Sequence, residues 1–378
     1  MARSFRALFV SLHFERLGGL EIYNLDAAKS LVRLGGQITA VSVLTSNTGL
    51  REGIPTRALL PKPRGLRRLY IRHWQRVLAL FLSTLRCSYD LAIVGHLFAL
   101  PQVAAFARQR GIPYWLCVFG IEAWSDWSEP VRQAILGCDR IVSISRFTAD
   151  SVHRRLDNGA NRVVIIPPMV DVNVFAPRLS RVPKAMPCAL TVGRLSTAER
   201  YKGHDLIMSA IPSVAKTLGQ PIEYWIVGDG DDRPRLEAFA EALFVSDRVK
   251  FLGRVSLEDL VDIYNACDVF IMPSRVEERA DGTWCGEGFG IVYIEAAACG
   301  KPVIAANQGG AIDAVQHGVT GLLVNPTQEA VGEALCQLLA DQQTRRRMGE
   351  AGRQFVIENF SQGVFDQRWA RLVASLGE

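Results

Sequence analysis

The sequence carries the same local pattern twice, once near its start and once in its middle. In each copy an apolar segment leads into a glycine-bearing loop, then into a helical period and then into a second apolar segment, over residues 7–44 and 189–227. Strand, glycine-bearing loop, helix and strand together form the half-unit of Rossmann-like domains. Strands that alternate with helices also favour parallel sheets. The repeat therefore predicts an α/β chain with two Rossmann-like domains.

Both copies have element boundaries that can be placed from the apolar runs and the glycines. Gly18 and Gly19 form the loop of the first copy, and Gly193 and Arg194 belong to the loop of the second. The predicted strands are Ala7–Leu12, Ile38–Leu44, Leu91–Val94, Ala189–Val192, Ile222–Val227 and Val269–Met272, and the predicted helices are Leu20–Arg33 and Gly203–Leu218.

A segment rich in proline and arginine separates the two copies. Residues 167–187 carry little periodic signal, which is typical of a hinge or linker. We therefore predict an N-terminal domain over residues 1–168, a linker over 169–186 and a C-terminal domain over 187–354. Because ligands of open parallel sheets bind beyond the carboxyl ends of the strands, two facing domains would hold a shared ligand in the cleft between them.

Composition narrows the class of protein further. With 378 residues, 49% hydrophobic and 21% charged, the chain is long enough for two domains and too apolar to be disordered. Its eight cysteines form no CxxC pair and no cluster with histidine, which predicts buried thiols in a reducing compartment and neither disulfides nor a zinc site. The N-terminal apolar stretch is too short for a signal peptide and no segment has the length of a membrane span, so we expect a cytoplasmic protein.

The stretch from Glu287 to Glu295 is the strongest indication of a binding site. Gly288 and Gly290 allow backbone amides to approach a ligand closely, and a helix that begins at about Gly290 directs free N–H groups at an anion. The two carboxylates flank this helix start and are good acceptors for vicinal hydroxyls, so the pattern describes a nucleotide sugar. The alternative is a solvated Glu287 and an exposed Glu295; it is disfavoured because Ala296–Ala298 indicate a buried helix, where an unpaired carboxylate is costly.

Three further residues follow the ends of predicted strands. Arg194 and Lys202 would bring two positive charges to a diphosphate and offset the charge of a departing group, although either could be a surface charge. His96 follows the strand Leu91–Val94, where it is either a satisfied core residue or a group that faces a ligand.

Residues 62–86 are predicted to form a basic amphipathic helix. Nine basic residues lie between Arg51 and Arg86 against the single acid Glu52. The helix either packs its apolar stripe on its own domain, or it sits on anionic lipid headgroups or an acceptor diphosphate. Nucleic acid is not expected, because no nucleic-acid-binding module accompanies the patch. The apolar stripe consists of Tyr70, Trp74, Leu78, Phe81 and Leu82.

Several motifs in this order resemble the retaining glycosyltransferases of family four, which have the GT-B fold. The Glu287–Glu295 element is the strongest, and TVGRLSTAERYKGHDLIMSA matches the family's glycine-arginine loop followed by a lysine. The remaining matches are WIVGDGDDRPRLE, FLGRV and PPMVDVNVF in the second half and GGLE, IVGHLF and VFGIE in the first half. The resemblance covers most of the chain and implies two facing Rossmann-like domains with parallel sheets and an interdomain cleft.

On the donor side, the resemblance implies a role for each matched residue. Glu295 would hold the ribose hydroxyls, Glu287 would hold the transferring sugar, and the backbone of Val255 would lie near the base. The diphosphate would meet the side chains of Arg194 and Lys202. The backbone amides that would contact sugar and phosphate are those of Gly288, Phe289, Gly290 and Ile291.

On the acceptor side, the resemblance places Gly18, Gly19, Gly120 and Glu122 in the family's acceptor loops. His96 would contact the donor sugar near its anomeric carbon, as a hydrogen-bond donor or as a proton relay.

Two segments outside these motifs also follow from the comparison with the family. The C-terminal residues 355–378 would form a helix that crosses back onto the first domain. The polar loop over residues 275–286 is longer than in many family members. It would order over the donor, shape the acceptor site or remain a mobile surface loop.

A metal is not expected. The triplet Asp229-Gly230-Asp231 resembles an Asp-x-Asp metal motif, but it follows a strand and precedes a helix, so it is more simply a turn and helix cap. Two cations, Arg194 and Lys202, are already available for the diphosphate.

The resemblance implies a metal-independent, retaining hexosyltransferase without a cofactor. It would move a hexose of the mannose or glucose type from a GDP- or UDP-sugar to a hydroxyl of a glycan or lipid-linked acceptor, in cell-envelope or exopolysaccharide synthesis. The departing phosphate would take the acceptor's proton, although a double displacement stays open. The alternatives are a sugar-nucleotide 2-epimerase of the same fold and a non-catalytic nucleotide-binding partner. The protein would be cytoplasmic, with peripheral attachment to the inner face of the membrane if the basic helix binds lipid.

Overall fold

A computed structural model describes residues 4–14, 18–43, 49–51, 53–58, 67–156 and 162–376. The chain divides into two compact units. The first contains Met1–Met169 and Gly363–Glu378, and the second contains Val170–Gln362. Of the segments predicted as linker and C-terminal helix, residues 170–186 and 355–362 therefore belong to the second unit, and only the residues from 363 onward return to the first.

The first unit has a sheet of eight strands within the described residues, in the order β3-β4-β2-β1-β5-β6-β7-β8. All neighbours are parallel except β3 and β4, which are antiparallel. The central strands β1, β5 and β6 are almost continuously buried, as expected for parallel strands covered on both faces. The strands are β1 (Phe5–Ser11), β2 (Gly36–Ser42), β3 (Gly49–Arg51), β4 (Ile54–Ala58), β5 (Leu91–Val94), β6 (Tyr114–Val118), β7 (Arg140–Ser143) and β8 (Val163–Ile165).

Helices connect these strands, and their ends follow local rules. One helix ends at Gly111, whose φ of 65° is the left-handed conformation that glycine adopts freely. Another begins after Ser145, whose side chain accepts a hydrogen bond from the N–H of Thr148. The helices are α1 (Gly19–Arg33), α2 (Arg67–Thr84), α3 (Leu100–Arg110), α4 (Ile121–Trp124), α5 (Glu129–Leu136) and α6 (Arg146–His153).

The last helix of the chain, α14 (Gln362–Ala374), is attached to α1 by an ion pair and by aromatic packing. Two nitrogens of Arg33 donate to the two carboxylate oxygens of Asp366, at 2.8 and 2.7 Å. The rings of Tyr23 and Phe365 pack edge to face with centroids 5.6 Å apart. These contacts explain why the C-terminal residues belong to the first unit although they follow the second in the chain.

The basic helix α2 packs its apolar side within its own unit. Leu78 and Leu82 are buried, while Arg76 and Arg86 are exposed. Residues 62–66 of the predicted helix lie outside the described residues. Leu78 and Leu82 therefore serve the core of the first unit, and exposed Arg76 is available to a ligand or a membrane. Among the described helices, none has both the length and the apolar character needed to cross a bilayer.

The second unit has a six-stranded parallel sheet in the order β11-β10-β9-β12-β15-β16. The direction of the strand order reverses between β9 and β12, and α/β sheets bind ligands beyond the carboxyl ends of the strands at such a switch point. A separate two-stranded hairpin, β13–β14, lies between β12 and the next helix. The strands are β9 (Cys188–Val192), β10 (Glu223–Val227), β11 (Val249–Gly253), β12 (Val269–Met272), β13 (Glu277–Glu278), β14 (Trp284–Cys285), β15 (Val303–Ala306) and β16 (Gly321–Val324).

The core of the second unit lies between the sheet and its helices. Ile207, Ile211 and Val214 of one helix and Leu335 and Leu338 of another are fully buried in it. Their burial supplies the main driving force for packing. The helices are α7 (His204–Leu218), α8 (Arg233–Ala242), α9 (Leu257–Ala266), α10 (Ile291–Ala298), α11 (Ala311–Ala314), α12 (Gln328–Ala340) and α13 (Gln342–Phe360).

The strands and helices predicted for the two repeated copies agree with the structure to within about two residues. The single C-terminal helix predicted over residues 355–378 is wrong: residues 355–360 end α13, and α14 covers Gln362–Ala374. Leu91–Val94 and Val269–Met272 are strands with these same bounds. The predicted strand Ile38–Leu44 is observed as Gly36–Ser42, and Leu44 lies outside the described residues.

Candidate functional site

The candidate site of the second unit is built on the loops that follow β9 and β12, the two strands at the switch point. After β9 the chain forms a 3-10 turn over Thr197–Lys202, which we call the 197–202 turn. After β12 it forms the hairpin and then residues 287–290, which we call the 287–290 loop. Because β9 and β12 are parallel neighbours, both loops leave the same edge of the sheet.

Glycine backbones shape the 287–290 loop. Gly290 has a φ of 84° and precedes the first residue of α10, and it provides no side-chain cap for that helix. The N–H of Gly310 donates to the carbonyl of Glu287 at 3.0 Å. A Cβ at Gly310 would lie 1.9 Å from the carbonyl oxygen of Gly288. The loop after β15 therefore packs backbone to backbone on the 287–290 loop and fixes the amides at the start of α10.

Glu287 lies half-buried at this loop, near the 197–202 turn. Burial raises the pKa of its carboxyl group; the charge of Lys202 opposes this shift and the charge of Glu199 adds to it. Within the described parts of the chain, its carboxylate has no hydrogen-bond or ion-pair partner. The carboxylate also raises the pKa of the buried Tyr201 and Tyr293 hydroxyls, after the larger effect of burial.

Glu295 lies one helical turn after the first residue of α10, and its carboxylate has a hydrogen-bond partner. The hydroxyl of Tyr264 donates to its Oε2 at 2.8 Å. Burial raises the pKa of Glu295 from 4.5 to about 7, and the Tyr264 hydrogen bond lowers it in part. Tyr264 is itself held between the rings of Phe175 and Phe270, at centroid distances of 6.0 and 5.9 Å. The bond to Tyr264 therefore orients one of the two carboxylate oxygens, Oε2.

Arg194 and Lys202 both contact one carboxylate, that of Glu199. Arg194 donates to Oε1, and Nζ of Lys202 lies 2.5 Å from Oε2. The side chains of Glu199 and Lys202 are only 12% and 10% exposed, whereas that of Arg194 is 71% exposed. The two predicted cations therefore meet at one anionic group beside the 287–290 loop. Sequence reasoning missed Glu199, although a lone acid between two predicted cations was a usable signal.

The start of α8 holds the 197–202 turn. Asp231 accepts hydrogen bonds from the N–H and the hydroxyl of Thr197, at 3.1 and 2.7 Å. The buried Asp232 accepts from Arg200 and Arg235. Asp231 and Asp232 thus both hold the turn. Among the described residues, no group of three or more acidic, histidine or cysteine side chains is arranged to hold a metal ion.

His96 follows β5 in the first unit and is held in one orientation. Its Nδ1 accepts a hydrogen bond from the N–H of Phe98 at 3.2 Å, and the two rings stack with centroids 4.6 Å apart. An accepting Nδ1 carries no proton, so the proton of the neutral ring lies on Nε2. Burial lowers the pKa of His96 from 6.5 to about 4, which keeps it neutral at physiological pH. Asn24 supports it by donating to the carbonyl of Gly95 at 3.0 Å.

The other predicted residues of the first unit lie at the starts of two helices, at the same edge of its sheet. Gly18 precedes α1, Gly19 is its first residue, and Gly120 precedes α4. The carboxylate of Glu122 accepts a hydrogen bond from the N–H of Phe119 at 2.5 Å. Burial raises the pKa of Glu122, and hydrogen bonds from backbone N–H groups lower it. At least one carboxylate oxygen of Glu122 is therefore bonded to the backbone just before α4.

The structure places the predicted residues in two groups. The second unit brings Arg194, Lys202 and Glu287 together at the 287–290 loop. Glu295 lies on α10, the helix that follows this loop. Val255 follows β11, which lies two strands from β9, at the same edge of the sheet. The first unit holds His96 and the glycine loops. That the two groups face each other across a cleft stays a prediction.

Family models match both halves of the chain. The model described as Glycosyl transferases group 1 matches residues 178–355, and the model described as Glycosyltransferase Family 4 matches residues 17–174. Together they cover nearly the whole described fold.

Individual proteins are similar as well. A GDP-mannose-dependent alpha-(1-6)-phosphatidylinositol monomannoside mannosyltransferase of Mycobacterium tuberculosis is 32% identical over 271 residues, which are 67% of this chain and 66% of that protein. A D-inositol 3-phosphate glycosyltransferase of Salinispora arenicola is 28% identical over 407 residues, which are 96% of this chain and 86% of that protein.

A solved structure shows the same fold. HepE of Anabaena in complex with UDP and glucose superposes with a TM-score of 0.77 at 22% identity, covering 98% of this chain and all of that one. The α/β fold class predicted from the sequence is thereby confirmed. The chain belongs to glycosyltransferase family 4 and has the GT-B fold.

Proposed function

We propose that this chain is a retaining hexosyltransferase that moves a sugar of the mannose or glucose type from a GDP- or UDP-sugar to a hydroxyl of a glycan or lipid-linked acceptor. The observation that carries the proposal is the contact of Arg194 and Lys202 with the single carboxylate of Glu199 beside the 287–290 loop. Two oxygens of one anion, each paired with a cation, resemble the charge pattern that a diphosphate would present. A bound diphosphate would take over these two partners.

The groups around this point suit the rest of a nucleotide sugar. The uncapped amide N–H groups at the start of α10 would donate hydrogen bonds to diphosphate oxygens, supported by the helix dipole. Glu287 has no partner within the described residues and would accept hydrogen bonds from the hexose hydroxyls. Glu295, oriented by Tyr264, would accept from the ribose hydroxyls, and the backbone of Val255 would lie near the base.

The reaction proposed is a same-face substitution at the anomeric carbon. The bond from the anomeric carbon to the diphosphate oxygen breaks and its electron pair leaves with the diphosphate, where Arg194 and Lys202 stabilise the added charge. The acceptor hydroxyl forms the new bond on the same face, and its proton goes to the departing diphosphate. The chain's contribution is positioning and charge stabilisation, which can account for much of an enzyme's rate enhancement. Neutral His96 would donate Nε2–H to the donor sugar.

The relatives support a sugar-nucleotide donor but differ in its base. The mycobacterial relative is named for GDP-mannose, and HepE was solved with UDP and glucose. That relative's name also includes a phosphatidylinositol acceptor, which favours a lipid-linked acceptor for this chain. Exposed Arg76 of α2 and exposed Arg86 just after this helix would then support peripheral attachment to an anionic membrane, in a cytoplasmic protein of cell-envelope or exopolysaccharide synthesis.

Donor turnover tests the proposal most directly. Purified protein is incubated with GDP-mannose, UDP-glucose and related nucleotide sugars, with and without lipid extracts as acceptor, and the products are followed by NMR. The proposal expects release of the nucleoside diphosphate together with an α-linked product. Conversion of the nucleotide sugar to its 2-epimer without an acceptor would indicate an epimerase. Binding of the donor without turnover would indicate a non-catalytic partner.

A further inference from the structure

The hairpin β13–β14 belongs to the long polar loop, residues 275–286, whose role the sequence left open. The loop leaves β12 after Pro273 and Ser274 and ends at Gly286, directly before Glu287. The hairpin strands pair antiparallel, with Glu277 opposite Cys285. The loop is therefore structured at its base, and its chain continues without interruption into the 287–290 loop.

Three hydrogen bonds join this loop to the backbone of the 197–202 turn. Nη2 of Arg279 donates to the carbonyl of Ala198 at 2.8 Å. Nη2 of Arg275 donates to the carbonyl of Arg200 at 3.0 Å, and the N–H of Arg275 donates to the carbonyl of Tyr201 at 2.8 Å. Three of the turn's six carbonyl groups are thus held by one loop.

Arg275 is itself fixed by carboxylates. Its Nη1 lies 3.3 Å from Asp205 on α7, and its Nε lies 2.9 Å from Glu277 on β13. Its side chain is 23% exposed, so these pairs are partly shielded from water. The neighbouring N–H of Val276 donates to the side chain of Gln308 at 2.9 Å. The loop therefore also touches residues 307–310, which pack on the 287–290 loop.

We propose that residues 275–286 act as a brace for the 197–202 turn, and that Arg275 and Arg279 are positioning residues for the binding of a diphosphate by Lys202. The inference rests on the proposed function. Glu199 and Lys202 project from a turn whose backbone is held by the brace and by the start of α8. When a diphosphate replaces Glu199 as the partner of Lys202, only side chains exchange partners, and no backbone has to be ordered during binding.

Binding of nucleoside diphosphates tests the brace. Arg279 is exposed and makes one bond to the turn, so Arg279→Ala should leave the fold intact. We expect it to weaken the binding of GDP or UDP, whichever the wild type binds, by roughly threefold to tenfold, the usual loss for one hydrogen bond. Binding of guanosine or uridine, followed by ligand-observed NMR, should not change, because a nucleoside has no diphosphate. Arg279→Lys keeps a donor and should restore part of the affinity.

A matched control and a double variant separate positioning from other roles. Arg346→Ala removes an exposed arginine that pairs with Glu350 on α13, far along the chain from the turn, and should leave both affinities unchanged. Thr197→Ala removes the hydroxyl bond to Asp231 that holds the same turn. If Arg279 acts through the turn, the double variant Thr197→Ala/Arg279→Ala loses more affinity than the product of the single losses. If Arg279 contacts phosphate directly, the two losses simply multiply.

Each possible result either supports or overturns the proposed role of Arg279. Equal diphosphate affinity of the wild type and Arg279→Ala overturns the brace, and so do losses that multiply in the double variant or that fall equally on the nucleoside. If the wild type binds no nucleoside diphosphate at all, the proposed function fails and this inference fails with it.

Discussion

The carboxyl edges of the two sheets share a switch-point arrangement but differ in charge. In the second unit, Arg194, Lys202 and Glu199 form an ion-paired group next to two half-buried carboxylates of raised pKa. In the first unit, His96 is neutral and Glu122 is occupied by a backbone N–H group of its own loop. The predicted site residues of the second unit are therefore mainly charged, whereas those of the first unit are mainly a neutral histidine and glycine backbone.

Under the proposed function, the two units would bind different parts of the substrates. A diphosphate needs cations and free amides, which the second unit provides. A sugar or acceptor hydroxyl needs neutral donors and acceptors in a fixed orientation, and a tautomer locked by the Phe98 N–H is such a group. The predictions below test this contrast, beginning with the largest expected effect.

Replacing Glu287 should have the largest effect on turnover. Glu287→Gln keeps the size of the side chain but removes the charge that would hold the hexose, and we expect kcat to fall by roughly 100-fold or more, as for the loss of one preorganised polar group in an active site. Steady-state kinetics measure this. Glu278→Gln, an exposed carboxylate on the nearby hairpin, is the matched control. Unchanged turnover of Glu287→Gln would show that the Glu287 carboxylate does not bind the transferred sugar.

Removing the buried cation should act on nucleotide affinity. Lys202→Ala takes away a charge-assisted partner worth about 1.5–3 kcal/mol, so the affinity for GDP or UDP should fall roughly 10- to 100-fold. Calorimetry at two salt concentrations measures the loss. Lys216→Ala, at the exposed end of α7, is the control and should bind as the wild type does. If Lys202→Ala retained full affinity, the charge contrast between the two edges would have no role in binding.

Two variants of His96 separate its two nitrogens. Asn can replace the Nδ1 acceptor for Phe98 but has no group at the Nε2 position, whereas Gln can place an N–H group near it. We expect His96→Asn to lower kcat roughly threefold to tenfold, the effect of one neutral hydrogen bond, and His96→Gln to lower it less. Because the pKa of His96 is about 4, its charge should not affect activity between pH 6 and 8. A rate change near pH 6.5 that is lost in both variants would show that His96 ionises in this range. It would contradict the neutral state that the structure indicates for His96.

Glu295 should make stability depend on pH in a definite direction. Its folded pKa of about 7 exceeds the ordinary 4.5, so the folded state binds the extra proton and stability declines as pH rises from about 4.5 through 7. Glu295→Gln cannot ionise, so its Tm should fall less than that of the wild type between pH 5 and 8. Thermal unfolding without ligand measures the difference. If the Tm of the variant fell more steeply with pH than that of the wild type, the pKa of Glu295 would not be raised in the folded state.

Chelation should have the smallest effect. Under the proposed function, Arg194 and Lys202 would supply the positive charge that a divalent cation would otherwise provide, so we expect activity to survive EDTA. Strict dependence on magnesium or manganese in a turnover assay would show that the cations of the second unit are insufficient for the diphosphate.

The sequence predicted the fold and the main landmarks of the site because these depend on local patterns. Strand runs, the glycines near Gly290 and the carboxylates of Glu287 and Glu295 are visible within short windows. The pairing of Glu199 with Lys202 lies within three residues, but its meaning depends on the side-chain geometry of a 3-10 turn. Tyr264 lies 31 positions from its partner Glu295, and no periodicity links them.

The long loop shows most clearly why the rest could not be predicted. Its polar composition left three roles open: ordering over the donor, shaping the acceptor site or remaining a mobile surface loop. Its binding to carbonyls of the 197–202 turn connects positions 81 residues apart, and backbone acceptors leave no trace in the sequence. Glu122 shows the opposite case: the sequence suggested an acceptor contact, and the structure adds a partner in its own loop. Its contact with an acceptor stays a prediction.

The close approach at Gly310 limits how this protein can change its substrate. Any side chain there would collide with the Gly288 carbonyl and push aside the amides that precede α10. Under the proposed function, the diphosphate would be bound by main-chain groups, whose chemistry no substitution changes. Variants that accept another base or another hexose have to be sought at the flanking side chains, so a mutational library aimed at new donors should leave the glycines fixed and vary the residues around Glu287 and Val255.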